Sequence, residues 1–140
     1  MQVREAQPSD RIDVRRILDA AMLAVEDLPD RIEAGDVLVA GENDRLLGAC
    51  VLVPHAEAPA WVIEAGVDVH VDAIAVRPRR RGGGIGRALI DRAGERGSLS
   101  AAFEADVRPF YEDLGFEILD GKTADGRLRA VWKPDEDRIR

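Results

Sequence analysis

Residues 77–90 read RPRRRGGGIGRALI, five arginines around three consecutive glycines and then a run of helical character. A glycine turn that opens onto a helix aims unpaired backbone N–H groups and the positive end of the helix dipole at one point. Without a Cβ in the way, a ligand can also approach the backbone closely. Gly82, Gly83, Gly84 and Gly86, with Arg81 and Arg87, therefore point to a diphosphate site; the alternative is a flexible turn with solvated arginines. Two other phosphate motifs fail here. Counted from Gly82 or Gly84, the sixth position is Arg87 or Leu89, so the dinucleotide fingerprint is absent, and no Gly-Lys-Ser/Thr follows to make a Walker A loop. The patch is confined within a chain of net charge −7, which speaks against a nucleic-acid partner.

The elements that must position this turn follow from periodicity. MQVREA alternates as a first strand, and Pro8, Ser9 and Asp10 supply a turn and an N-cap. Val14, Ile17, Leu18, Ala21 and Val25 recur at helical spacing, and DLPDRIEAGD predicts a short second helix closed by Gly35. DVLVAGE and LLGACVLVPH form a hairpin around Asn43-Asp44-Arg45. A loop holding Pro59 and Trp61 leads to the alternating strand VDVHVDAIAV. The arginine-glycine turn comes next, then a helix from about Gly84 to Arg96, the strand LSAAFEA, a short helix in VRPFYEDLG, and a closing hairpin of FEILD and RLRAVWK across Asp125-Gly126. The order β-α-α-β-β-β-α-β-α-β-β predicts an α/β (α+β) fold, a mixed, mainly antiparallel sheet with helices on both faces.

Composition sets the outer bounds. A chain of 140 residues, 46% hydrophobic and 34% charged, predicts one globular domain over 1–140 with a single core. No apolar run approaches a membrane span and MQVREAQPSD is no signal peptide, so a cytoplasmic protein without a membrane partner is expected. The lone cysteine, Cys50, fits a reducing compartment and reads as a buried small hydrophobe. Only Lys122 and Lys133 are lysines. Such an acidic, lysine-poor composition suits solubility in high salt, as in a halophile, and a GC-rich genome would favour arginine equally. The sequence is compatible with a homodimer but fixes no oligomeric state, and no metal site is expected.

Val76-x-Pro78-x-x-Arg81-x-x-Gly84-Ile85-Gly86-x-Ala88-Leu89 resembles the acyl-CoA signature of the Gcn5-related N-acetyltransferases (GNAT), and Pro109-Phe110-Tyr111-Glu112-Asp113-Leu114-Gly115-Phe116 resembles a second segment of that family. His70-Val71-Asp72-Ala73-Ile74-Ala75-Val76 is similar to the paired-polar strand of the arylalkylamine branch, where histidines stand at the positions of His70 and Asp72. The resemblance implies the acyl-CoA N-acyltransferase fold, with two strands splayed at a cofactor cleft, and acetyl-CoA as co-substrate. It further implies coenzyme contacts from Ile74, Ala75, Val76, Arg81, Gly82, Gly83, Gly84, Ile85, Gly86, Arg87 and Phe110. Glu104 stands where many members carry an asparagine.

The implied reaction is attack of an amine on a thioester carbonyl, and a base must first take the ammonium proton. His70 and Asp72 alternate onto one strand face and can form a relay; the alternatives are that Asp72 pairs with an arginine, or that both lie at a solvated strand end. Cleavage leaves a thiolate, to which a phenol can donate a hydrogen bond. Tyr111, the only tyrosine, is the candidate, against an ordinary core aromatic beside Phe110. Glu26, Asp27, Asp30, Glu33 and Asp36 would suit a cationic amine, although the whole chain is acidic, and Trp61 either stacks on substrate or caps the core. The expected function is acetyl-CoA-dependent N-acetylation of a primary amine of a small molecule or protein; the alternative is a non-catalytic acyl-CoA-binding sensor or interaction module.

Overall fold

The fold was established from a computed structural model that describes residues 1–134; the last part of the expected domain, 135–140, lies outside the described residues. In chain order the elements are β1 (Gln2–Glu5), α1 (Arg11–Ala20), α2 (Leu28–Glu33), β2 (Val37–Glu42), β3 (Arg45–Pro54), α3 (Ala60–Glu64), β4 (Val69–Val76), α4 (Ile85–Gly94), β5 (Leu99–Phe103), α5 (Arg108–Asp113), β6 (Glu117–Lys122) and β7 (Leu128–Trp132). The hydrogen-bonded strand order is β1-β2-β3-β4-β5-β7-β6. Pairings β1–β2, β2–β3, β5–β7 and β6–β7 are antiparallel and β4–β5 is parallel, so the sheet is mixed as expected. The contacts divide the chain into two compact units, Met1–Leu52 with Asp72–Ala93, and Val53–Val71 with Gly94 onward.

In the first unit, alternation decides which helix covers which face. Val37, Val39, Ala49, Val51, Ala73 and Ala75 share one core with Val14, Ile17 and Leu18 of α1 and Leu28 and Ile32 of α2. Gly48, one residue out of phase with Ala49, faces the other way. A Cβ there would stand 3.0 Å from Ile85 Cγ2, 3.1 Å from Ala75 O and 3.2 Å from Leu89 Cδ1, so α4 packs closely on the opposite face. Helices thus cover both faces of this half, and Cys50 is buried as predicted. The helix start at Asp10 is a variation on the expected cap. Its carboxylate makes no bond to the first turn of α1 and instead accepts from Gln7 N–H and Arg4 Nη1, each at 2.7 Å.

In the second unit, the parallel ladder pairs Val69 with Leu99, His70 with Ser100 and Val71 with Ala101, while β4 continues to Val76 and β5 to Phe103. Val53, Ala58, Val62, Val67 and Val131 form the core of this unit. The expected loop around Pro59 and Trp61 is corrected here to a helix. Val62 and Ile63 N–H both donate to Pro59 O, and the chain leaves α3 at Gly66 with φ of 69°. Five residues carry too little periodicity to declare a helix from sequence. The helix after the glycine turn is shorter than expected, ending at Gly94 rather than Arg96. The β2–β3 turn is two residues, Asn43 and Asp44, both at positive φ, so Arg45 belongs to β3.

A carboxylate clamp precedes the parallel pair. Asp68 Oδ2 accepts from Ser98 N–H at 2.9 Å and from the Ser98 hydroxyl at 3.0 Å, and Asp68 N–H donates back to Ser98 Oγ at 3.0 Å. The Ser98 backbone bond first, and its hydroxyl second, hold the Asp68 carboxyl below its ordinary value of 3.8. A folded-state pKa that is depressed adds stability above the unfolded pKa and loses it as pH falls through the folded one. Asp68→Asn is therefore expected to destabilise the chain at neutral pH by on the order of 1 kcal/mol, the low end for a charged hydrogen bond because the group is exposed. Urea titrations should show the gap between parent and variant closing below about pH 4; a gap independent of pH would remove the clamp from the account.

Candidate functional site

The glycine turn lies wholly in the first unit. Arg77 anchors its entry: its N–H donates to Leu47 O at 2.8 Å and its Nε to Leu46 O at 2.6 Å. Arg81 Nε donates to Val76 O at 3.2 Å, closing the turn on the end of β4. Gly82 and Gly84 take φ of 82° and 84°, the left-handed region that other residues enter only with strain. At neither position would a Cβ meet any atom within 4 Å, so the space above both is open to a ligand. Gly84 O accepts the first bond of α4, from Ala88 N–H at 3.0 Å. The N–H groups of Ile85 and Gly86, at the very start of α4, precede that first bond and point out of the helix end. No acidic residue stands in that first turn, while Arg79, Arg80, Arg81 and Arg87 are exposed around it. Open glycines, helix amides and arginines fit an anionic, phosphate-bearing ligand.

Other sequence-predicted contacts narrow to the backbone. Ala75 is 5% exposed with its side chain in the α1 core, and Ile85 is 3% exposed against the sheet, so each can offer only main-chain groups. Ile74 and Val76, half-buried, occupy the other face of β4. Asp72 alternates onto that same face, is exposed, and lies 3.5 Å from Arg31 Nη1, which also donates to Leu52 O at 3.4 Å. The arginine pairing named as an alternative for Asp72 is thus present, and sequence reasoning had no means of choosing Arg31 among so many arginines.

Within the second unit, His70 is buried rather than at a solvated strand end. Its Nδ1 sits 2.8 Å from Ser100 Oγ, and its ring meets Trp61 edge-on with centroids 5.7 Å apart. Tyr111, in α5, is 5% exposed. Its ring stacks on Phe103 at 4.1 Å and meets Phe110 and Phe116 edge-on at 5.0 and 5.2 Å. Aromatic packing of this kind fixes the ring and hence the direction of its hydroxyl. Phe110 itself is half-buried. Ser100 was missed from sequence, where it read as one more residue of a strand. Among the described residues, no three His, Cys, Asp or Glu side chains gather as a metal site, and no helix is long and apolar enough to cross a membrane.

No curated protein matches the sequence. A GNAT-family acetyltransferase from Listeria monocytogenes has the same fold at 19% identity over 95% of this chain and 94% of that one, with a TM-score of 0.71. Rv2747 from Mycobacterium tuberculosis, solved in complex with CoA, matches at 18% identity over 96% and 100%, with a TM-score of 0.72. N-acetylglutamate synthase from Neisseria gonorrhoeae, complexed with coenzyme A and L-arginine, matches at 17% identity over 94% of this chain and 32% of the longer enzyme, with a TM-score of 0.74. At such identities the likeness establishes the fold. The family comes from the sequence itself: residues 33–118, which include the glycine turn and the segment around Tyr111, match the Acetyltransferase (GNAT) domain, and the chain belongs to that family.

Proposed function

We propose that this chain transfers an acetyl group from acetyl-CoA to a primary amine of a small molecule or protein. The observation that carries the reading is the turn at Gly82–Gly84, open above its backbone and continuous with the first amides of α4, which suits the coenzyme diphosphate. When bound, acetyl-CoA supplies the activated acyl group; the chain supplies position and proton transfer. The assigned coenzyme contacts are main-chain groups of Ile74, Ala75, Val76, Gly82, Gly83, Gly84, Ile85 and Gly86 and the side chains of Arg81 and Arg87, with Phe110 assigned as a further contact. His70 takes the proton of the attacking amine, aided by Asp72, whose negative charge next to Arg31 also suits an ammonium group. Tyr111 donates a hydrogen bond to the departing thiolate.

The test is thiol release from acetyl-CoA across a panel of small cationic amines and peptide N-termini. Amine-dependent release well above hydrolysis is expected for at least one member. Coenzyme binding with silence across the panel would replace catalysis by a sensor or interaction module.

A further inference from the structure

Of the five arginines in residues 77–90, two brace the turn: Arg77 donates to Leu46 O and Leu47 O, and Arg81 to Val76 O. Arg79 and Arg80 have no such duty. They lie in the 3₁₀ turn Pro78–Arg80, closed by Arg80 N–H to Arg77 O at 2.9 Å, and both are exposed. Among the described residues, the Arg79 guanidinium meets no hydrogen-bond or ion-pair partner. Arg80 Nη2 stands 3.5 Å from Glu42 Oε1, and the other oxygen of that carboxylate faces the N-terminal ammonium at 3.9 Å. An exposed pair of this length, its carboxylate shared with a second cation, holds the guanidinium only weakly.

These two cations adjoin the glycine turn. A Cβ built on Gly83 would lie 3.4 Å from Arg80 O. Gly82 follows Arg79 by three residues, so the Cα atoms of Arg79 and Arg80 stay within about 11 Å of it. The amides of the turn and of the start of α4, with Arg81 and Arg87 beside them, already suit a diphosphate. Coenzyme A carries one further anionic group, the 3′-phosphate, on the same ribose whose 5′-oxygen bears the diphosphate. A phosphate monoester holds about −1.5 to −2 charges at neutral pH, and the planar fork of arginine matches its oxygens. One sugar separates the two anionic groups, a span that arginines beside the diphosphate can cover.

We propose that Arg79 and Arg80 bind the 3′-phosphate of the coenzyme, Arg80 leaving Glu42 to do so, and that they make the chain select CoA over dephospho-CoA. The inference rests on the diphosphate reading of the glycine turn. Dephospho-CoA, which keeps the diphosphate and lacks the 3′-phosphate, separates the two.

The test is titration calorimetry of the full chain with each ligand, at about 0.15 M salt so that charges beyond about 8 Å are screened. The parent is expected to bind CoA about tenfold more tightly than dephospho-CoA, the low end for charged hydrogen bonds because both arginines are exposed. In Arg79→Ala/Arg80→Ala that preference should vanish. Arg81→Ala, which removes a charge from the same turn, should weaken both ligands alike and keep the parental ratio. The single variants Arg79→Gln and Arg80→Gln retain the side-chain stem and should each lose part of the preference, so the test stands even if the double variant does not fold. Equal affinity of the parent for the two ligands, or a parental ratio in the arginine variants, would overturn the inference. Gly84→Glu is expected to lose both ligands. Loss of both there, with equal affinities in the parent, would overturn this inference alone; undiminished dephospho-CoA binding there would overturn the diphosphate reading and this inference with it.

Discussion

Gly84→Glu is expected to abolish coenzyme binding while the chain remains folded. The Cβ at this position would enter open space, so the new side chain meets no steric barrier in the free protein. Its carboxylate would then stand where the phosphates of CoA must approach, and its Cβ would hold them off the backbone amides. The φ of 84° adds strain of about 1–3 kcal/mol for any non-glycine residue. Gly84→Ala carries that strain without the charge and is the control. Gly86→Glu makes the same electrostatic change inside α4, where φ is not positive. By titration calorimetry, both glutamate variants should lose affinity for CoA by at least about 10²-fold, or roughly 2.7 kcal/mol. Arg81→Ala should lose only a few-fold, since the guanidinium is exposed and the backbone donors stay. Either glutamate variant binding like the parent would place the diphosphate elsewhere.

Tyr111→Phe is expected to lower kcat on the order of 10²-fold, about 2.7 kcal/mol of barrier, with little change in KM for acetyl-CoA. The structure makes this substitution informative. The ring packs face-on against Phe103 and edge-on against Phe110 and Phe116, and phenylalanine keeps all three contacts. With a parental melting temperature in the variant, loss of activity then reports on the hydroxyl rather than on folding. A hydrogen bond made chiefly to the developing thiolate is lost from the transition state and not from the ground state. Parental kcat in single-turnover kinetics, where product release cannot mask chemistry, would return Tyr111 to a purely structural role.

Local signals carried most of the fold and marked the glycine turn that is proposed to hold the coenzyme. Strict alternation in HVDAIAV and the glycine turn before IGRALI are readable because residue type and spacing act over a few positions. What escaped depends on long-range register. Ser100 meets His70 only because β4 and β5 run parallel with those residues opposite, and Arg31 meets Asp72 only because α2 folds back over the end of β3. Nothing in LSAAF or LPDRIE marks either residue as special. The helix around Trp61 escaped for a different reason: one and a half turns without a side-chain cap resemble the loop on either side.

The central claim, that the amides of the glycine turn and the first turn of α4 hold the coenzyme diphosphate, is tested most directly by following backbone ¹H–¹⁵N signals during titration with CoA. Hydrogen bonding to phosphate oxygens moves an amide proton downfield. Gly82, Gly83, Gly84, Ile85, Gly86 and Arg87 are predicted to show the largest such shifts, all saturating with one dissociation constant. Binding that leaves these six amides unmoved while others shift, or no binding at all, would contradict the account.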